Sequence, residues 1–446
     1  MIKKNFHQVT SKVVKKYFQG HFENNLSFLK QFSEDLKDFP LSPEEVRELQ
    51  KVMKVLFLGQ VVGLPTMNSI LEKYELRNNQ HKVCYKKICK KLSINEINRL
   101  FDSAFEHQLL CKLSEMTKKD SSCWSRELVT VVLDDSIFRQ WLKEQGCLDD
   151  FEAAYYNRFY SGQFCAAVYG FKVLTFGVCV DGIFYPLYFE YVAKKTERVP
   201  DSKKTTEKAV ELIEKWRKLV QKAAETGIII PKLHFSCDSG YSHVSLSKAC
   251  ENSNLIYISV PKKSHVIEIQ GKGQTKQSIK LSDWVSQIFL KKEQKHNKSE
   301  ENLPKSERTP YTCRIKVFYR CQNQEVTLLA FRYQGSKKVS LIYTTKHDIK
   351  EKTLRNHWFQ RTYIEQFFKT LKHVLKIQEA RTTNRHHFHF KLMLFAFMAY
   401  HVQCLVKFIR KSYKLFKKRG FISIQRTLNN DESFYDILQE ILIVKY

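Results

Sequence analysis

The chain has 446 residues with 43% hydrophobic and 13% aromatic content, enough to bury a large core divided into two or three domains. Its 14 glycines and 9 prolines exclude a collagen-like or linker-rich protein, and no internal repeat is visible. The 75 Lys and Arg against 46 Asp and Glu give a net charge of +29, which favours a polyanionic partner and argues against a small-molecule housekeeping enzyme. That charge is uneven: residues 1–120 carry +7, residues 121–250 carry +1 and residues 251–446 carry +21. A near-neutral block followed by a basic third suggests a footprint.

Residues 1 to about 120 read as helical, with Ser42 as an N-cap before Pro43, Glu44 and Glu45 and apolar positions at helical spacing after them. The stretch SINEINRLFDSAFEHQLLCKL, preceded by KVCYKKICKK, resembles the helix pairs that hold DNA, although generic helical packing accounts for it more readily. The period then changes. LVTVVLDDS is a buried-strand run from residue 128, and FKVLTFGVCVDGIFYPLYFEYV reads as two strands joined at Asp181 and Gly182. TTEKAVELIEKWRKLVQKAAETG follows as a helix closed by Gly227, then IIIPKLHFSCD as a strand, SHVSLSKACEN as a short helix and LIYISVP as a strand. This order suits an RNase H-like α/β fold among other α/β folds.

Residues 262–345 break that rhythm with short strand-like pieces, HVIEIQG, YTCRIKVFYR, EVTLLAFRY and SLIYTT, around a lysine-rich loop. Helices resume from about residue 350. Near the C-terminus, Lys407, Arg410, Lys411, Lys414, Lys417 and Lys418 fall within an arc of about 120° on a helix. Such a stripe suits either contact with a phosphate backbone or a solvated face.

Asp134 ends a very apolar strand in VVLDDS, and Asp238 ends another in LHFSCDSGY. A carboxylate at such a point is badly solvated unless it is paired or binds a cation, although a strand-end aspartate also starts ordinary turns. Asp134 and Asp135 face opposite sides of a strand, so either could be the functional one. In NHWFQRTYIEQFFKTLKHVLKI, one continuous helix would bring Trp358, Arg361, Glu365 and Lys372 within an arc of about 60°. A surface pair of Arg361 with Glu365 and an edge-of-core Trp358 would give the same pattern. His386, His387 and His389 in RHHFHF suit packing or phosphate contact better than a metal. The twelve cysteines, with no C-x-x-C pair, indicate neither a zinc site nor a disulfide framework.

The stripe resembles the Y-(2)-R-(3)-E-(6)-K signature of DDE transposases of bacterial insertion sequences, read here as W-(2)-R-(3)-E-(6)-K. Asp134 to Ser136 supplies the family's D-x-[ST], favouring Asp134 over Asp135, and Asp238 to Tyr241 supplies D-x-G-[YF]. The resemblance spans roughly residues 128–400. It implies an RNase H-like catalytic domain in two parts, 126–261 and 346–400, interrupted by a β-rich insertion at 262–345. A helical DNA-binding region, 1–125, would precede it, and a basic helical segment, 401–446, would follow.

It further implies that Asp134, Asp238 and Glu365 are catalytic ligands of two Mg²⁺ ions, with Mn²⁺ able to substitute. Trp358, Arg361, Lys372, Lys407, Arg410, Lys414 and Lys418 would contact DNA. Tryptophan in place of the family's tyrosine keeps a stacking surface but loses a phenolic hydroxyl. The implied activity is cut-and-paste transposition by a homodimer on double-stranded DNA, both transposon ends and target. The alternatives are a catalytically silent DNA-binding descendant and an RNase H-like nuclease without strand transfer. With no apolar signal region at the N-terminus and LMLFAFMAY at 392–400 short of a membrane span, the expected setting is cytoplasmic and nucleoid-associated, without a membrane.

Overall fold

The computed structural model describes residues 13–35, 38–61, 80–119, 124, 127–139, 155–161, 165–194, 203–270, 276–293, 310–333, 336, 338–379 and 384–412. Helices open the chain: a π-helical turn Phe18–Phe22, then α1 (Glu23–Asp35), α2 (Pro43–Val61), α3 (Gln80–Lys91) and α4 (Ile94–Lys119). Ser42 and Glu45 form a reciprocal capping box at the start of α2. The Glu45 backbone N–H donates to Ser42 Oγ over 3.3 Å, and the Ser42 N–H donates to Glu45 Oε2 over 3.1 Å. Ser93 and Glu96 repeat the device at α4.

A mixed eleven-stranded sheet follows, ordered β2-β3-β1-β5-β6-β11-β10-β9-β7-β8, with β4 also on β3. Its strands are β1 (Thr130–Arg139), β2 (Tyr156–Ser161), β3 (Ala166–Val180), β4 (Ile183–Tyr191), β5 (Leu233–Cys237), β6 (Leu255–Ser259), β7 (Val266–Gln270), β8 (Lys276–Lys280), β9 (Tyr311–Tyr319), β10 (Gln324–Arg332) and β11 (Ser340–Thr344). β1 runs antiparallel to β3 and parallel to β5, which is parallel to β6. The β3–β4 hairpin turns at Asp181 and Gly182, with φ of 51° and 75°, the pair of positive values that a tight hairpin of this twist requires.

Two helices, α5 (Thr205–Glu225) and α6 (Val244–Asn252), connect β4 to β6. The Glu207 carboxylate caps the start of α5, accepting from the Lys204 N–H over 2.8 Å, and Gly227 ends it at a φ of +80°. Later come α7 (Leu281–Glu293), α8 (Glu351–Phe359), α9 (Arg361–Lys369), a π-helical turn Thr370–Val374 and α10 (Arg385–Ser412). Trp216 of α5 meets Phe176, on the face of Leu133, whereas His357 of α8 meets Thr130 on the opposite face. Helices therefore cover this part of the sheet on both sides.

Three features go beyond the sequence reading. β2 and the outer half of β3 form a hairpin where no strand was expected, because YNRFYS and AAVYG carry exposed aromatics that blur the alternation. The strands of 262–345 continue the same sheet, since β11 pairs with β6 through Tyr343–Ser259 and Thr344–Ile258. That region also holds a further strand, β8, and a helix, α7, where the sequence suggested only β-strand pieces and a loop.

One continuous core runs from Val14 to Ile409. α4 joins it to α10 and the sheet through Phe101 against Phe390 and Phe105 against Phe189. α10 is apolar nearly all round, and over Arg385–Lys411 it is long and apolar enough to cross a membrane. However, 72% of its apolar window is buried within the protein, as in the central helix of a large globular core.

Candidate active site

The parallel register pairs Leu133 with Cys237, so the next residues, Asp134 and Asp238, lie side by side where that parallel pairing ends: Asp134 in the middle of β1, which runs on to Arg139 beside β3, and Asp238 just past the end of β5. Register partners on neighbouring strands share a face, and the ends of parallel strands are where open α/β sheets present their ligand sites. The Asp134 carboxylate accepts from Arg361 Nη1 over 3.1 Å, and Arg361 Nη2 reaches Glu365 Oε1 over 2.9 Å. One guanidinium thus ties the β1 carboxylate to the glutamate of α9. Burial pushes the Asp134 carboxyl up to about 7; Arg361 opposes that rise, while the charges of Asp135 and Asp238 add to it.

α9 is held in place by its apolar face. Ile364, Phe367 and Phe368 are buried, with Phe367 against Phe184 and Phe368 against Phe138. Its start abuts the β3–β4 turn, where a side chain at Gly182 would come within 3.2 Å of the Tyr363 hydroxyl. The sequence reading of one unbroken four-residue stripe is corrected by this geometry. The helix is interrupted at Gln360, whose carbonyl takes the Cys179 thiol over 3.3 Å, and it passes into the π-helical turn after Lys369.

Trp358 lies before the interruption and turns into a second core cluster, with Phe331 at 6.0 Å and Phe359 at 5.0 Å between ring centroids. Lys372 lies in the π turn, 5.2 Å from the centre of the Phe138 ring. Burial lowers its ammonium to about 8, and the nearby Asp135 partly opposes that.

Asp135 has a different environment from Asp134. It pairs with Lys172 Nζ over 3.2 Å and accepts from the Tyr241 hydroxyl. Lys172 was not singled out from the sequence; it stands opposite Ile137 and so reaches Asp135 diagonally across the β1–β3 pair, a contact that needs the register to be known. Beside this group, Ser136, Arg139, Tyr160, Lys372 and His373 help line a cavity of about 210 Å³.

Farther along α10, Lys407 is engaged by the carbonyl and carboxylate of Asp181 at the β3–β4 turn. Arg410 and Lys411 are exposed. Lys414, Lys417 and Lys418 lie outside the described residues. His389 is buried between Tyr191 and Asn98, with Nε2 2.7 Å from the Asn98 oxygen, so it packs.

Asp134, Asp238 and Glu365 are oxygen donors of the kind a hard divalent cation takes, and here Asp134 and Glu365 are linked through Arg361. Thr175, opposite Asp134, and Ser236 of β5 add buried hydroxyls that have no protein partner, polar atoms of the kind that line a wet or ion-bearing site.

Residues 197–401 match the family model of the transposase DDE domain. No curated protein matches the chain. A solved structure of an endonuclease V variant from Ciona intestinalis, bound to a 23-mer DNA containing an inosine followed by a ribo-adenosine, shares 16% identity. The match covers 56% of this chain and 85% of that one at a TM-score of 0.23, too low to establish a common fold. The matched segment begins after Asp134 and includes Asp238, Arg361, Glu365 and most of α10. Over residues 197–401, a little under half of its length, the chain is therefore similar to the DDE domain of transposases.

Proposed function

We propose that this protein is a transposase that binds transposon ends and carries out cut-and-paste transposition. The observation that carries the reading is the Arg361 bridge, which links the Asp134 carboxylate of β1, beside Asp238, with Glu365 of α9. The order β4-β3-β1-β5-β6, with β3 antiparallel and β1, β5 and β6 parallel, supports an RNase H-like domain. The strands from β7 to β11 would be its insertion, and the helices before β1 a DNA-binding region.

Asp134, Asp238 and Glu365 would hold two Mg²⁺ ions, which when bound stabilise charge on the attacking and leaving oxygens of a phosphodiester. Asp134 and Asp238 fix the site from the rigid sheet, and Glu365 closes it from the helix. Arg361, freed from neutralising carboxylates that engage cations, is placed to hold a phosphate beside them. Water, and later a DNA 3′-OH, would act as nucleophile, so no protein side chain forms a covalent intermediate. Lys372 and the basic surface beyond it would grip DNA, and two chains would pair two ends in the cytoplasm on nucleoid DNA.

The test uses the DNA flanking the reading frame, whose inverted repeats define the end substrate. Wild-type protein with end DNA and Mg²⁺ should cut at the boundary and join the end to a target. Glu365→Gln should abolish cutting while leaving binding intact. Normal cutting by that variant would overturn the site, and cut but never joined products would reduce the activity to that of a nuclease.

A further inference from the structure

A second group of ligating side chains lies away from the carboxylates, where α3 meets the first turn of α10. We infer that Cys89, His386 and His387 form a zinc site that clamps the N-terminal helices to α10. The Cys89 sulfur, one nitrogen of His386 and one of His387 all lie within 4.8 Å of one another. Cys89 Sγ is 4.0 Å from His386 Nδ1, close to the spacing of two ligands on one tetrahedral ion.

The second observation concerns the other side of the His386 ring. His386 Nε2 is engaged by the Leu92 carbonyl. A carbonyl only accepts, so the proton resides on Nε2 and the Nδ1 lone pair points at Cys89. A backbone carbonyl fixing the far nitrogen of an imidazole is the arrangement found behind metal-bound histidines. His387 is positioned by its own N–H, which donates to Asn384 Oδ1 over 3.0 Å.

The chemistry selects the metal. One thiolate and two imidazoles suit a borderline-soft ion, and Lys86 and Lys90 lie close enough to raise the local positive potential, which disfavours Mg²⁺ or Ca²⁺, held chiefly by charge. Burial pushes the Cys89 thiol up to about 11, so binding expels its proton to solvent: Zn²⁺ joins sulfur and two nitrogens, and one H⁺ leaves. Three protein ligands leave the fourth position to water. Because Cys89 belongs to α3 and the histidines to α10, the ion would fasten segments almost 300 residues apart.

The experiment is zinc titration of the full chain after exhaustive chelation and dialysis, with metal content measured directly. Wild type should regain one zinc per chain, and Co²⁺ in its place should show thiolate charge-transfer absorption. His387→Gln, at an exposed position that folding tolerates, should weaken zinc by about tenfold or more, and Cys89→Ser should remove the Co²⁺ band. Glu365→Gln should bind zinc as wild type does. Failure of wild type to bind zinc, wild-type affinity in His387→Gln, or loss of zinc in Glu365→Gln instead would each overturn the proposal, whatever the outcome for DNA cleavage.

Discussion

In the half of the sheet ordered β4-β3-β1-β5-β6, the strands are covered on both faces, and every residue of β6 and nearly every residue of β4 is buried. In the half ordered β11-β10-β9-β7-β8 they turn progressively outward, until β9 is largely half-exposed and β8 almost wholly exposed. The covered half holds Asp134 and Asp238, where poor solvation raises the value of a cation or a guanidinium partner. The open half carries Lys276, Lys280 and Lys316 on exposed positions, where a charge keeps its water and costs little. The contrast separates a rigid frame suited to chemistry from a surface suited to electrostatic grip.

The largest expected effect tests the covered region through its histidines. Burial holds His234, His389 and His401 at about 3 and His357 at about 4, all below the roughly 6.5 of an unfolded chain. Depressed values mean that the unfolded state takes up protons first, so this stability is present above about pH 6.5 and is lost as pH falls toward 4. With four groups the slope reaches at most roughly 5 kcal/mol per pH unit. Denaturant midpoints measured from pH 7.5 down to pH 5 should fall steeply, and His389→Asn should flatten the curve. A pH-independent midpoint would mean that these rings are solvated.

Next in size is the difference between two adjacent carboxylates. Asp134→Asn should lower cleavage of end DNA by on the order of 100-fold or more, the loss typical of removing a group that stabilises transition-state charge. Asp135→Asn removes the partner of Lys172 and Tyr241 and should cost far less. Single-turnover cleavage at saturating Mg²⁺ compares them, and equal losses would erase the distinction. A smaller effect belongs to exposed lysines of the open half and of the end of α10: Lys316→Gln and Lys411→Gln should each reduce the salt slope of DNA affinity by about 1 and leave single-turnover cutting unchanged. Lys407→Gln should move the slope less, because Asp181 already engages that ammonium.

How far the sequence was informative depends on the range of the interactions. Short-range signals were legible: Ser42 with Glu45, the Asp181-Gly182 turn, and the buried runs that became β1, β5 and β6. Asp134 and Asp238 stood out because each ends such a run. Their register, the choice of Arg361 as the bridge and the placing of Lys172 beside Asp135 depend on pairing across long separations, which periodicity does not encode. The same holds for Cys89, which nothing in α3 connects to RHHFHF until the helices pack. The four-residue stripe misled because an ideal helix was carried through Gln360 and the π turn, and each interruption rotates the residues beyond it.

That rotation gives the smallest and most discriminating expectation, at Trp358. Its ring packs on Phe331 and Phe359, and its indole N–H is buried without a protein partner. Trp358→Leu keeps an apolar side chain in the cluster with Ile258 and Ile342 but removes the flat surface that a base could stack on. If Trp358 is core, stability falls by about 1 to 3 kcal/mol for the lost volume, partly offset by removing an unpaired donor, while DNA affinity stays within twofold of wild type. If it stacks on DNA, affinity should drop by about 1 to 3 kcal/mol with little change in melting temperature. Paired thermal denaturation and DNA titration of this one variant therefore decide whether the first position of the W-R-E-K pattern belongs to the site or to the packing that supports it.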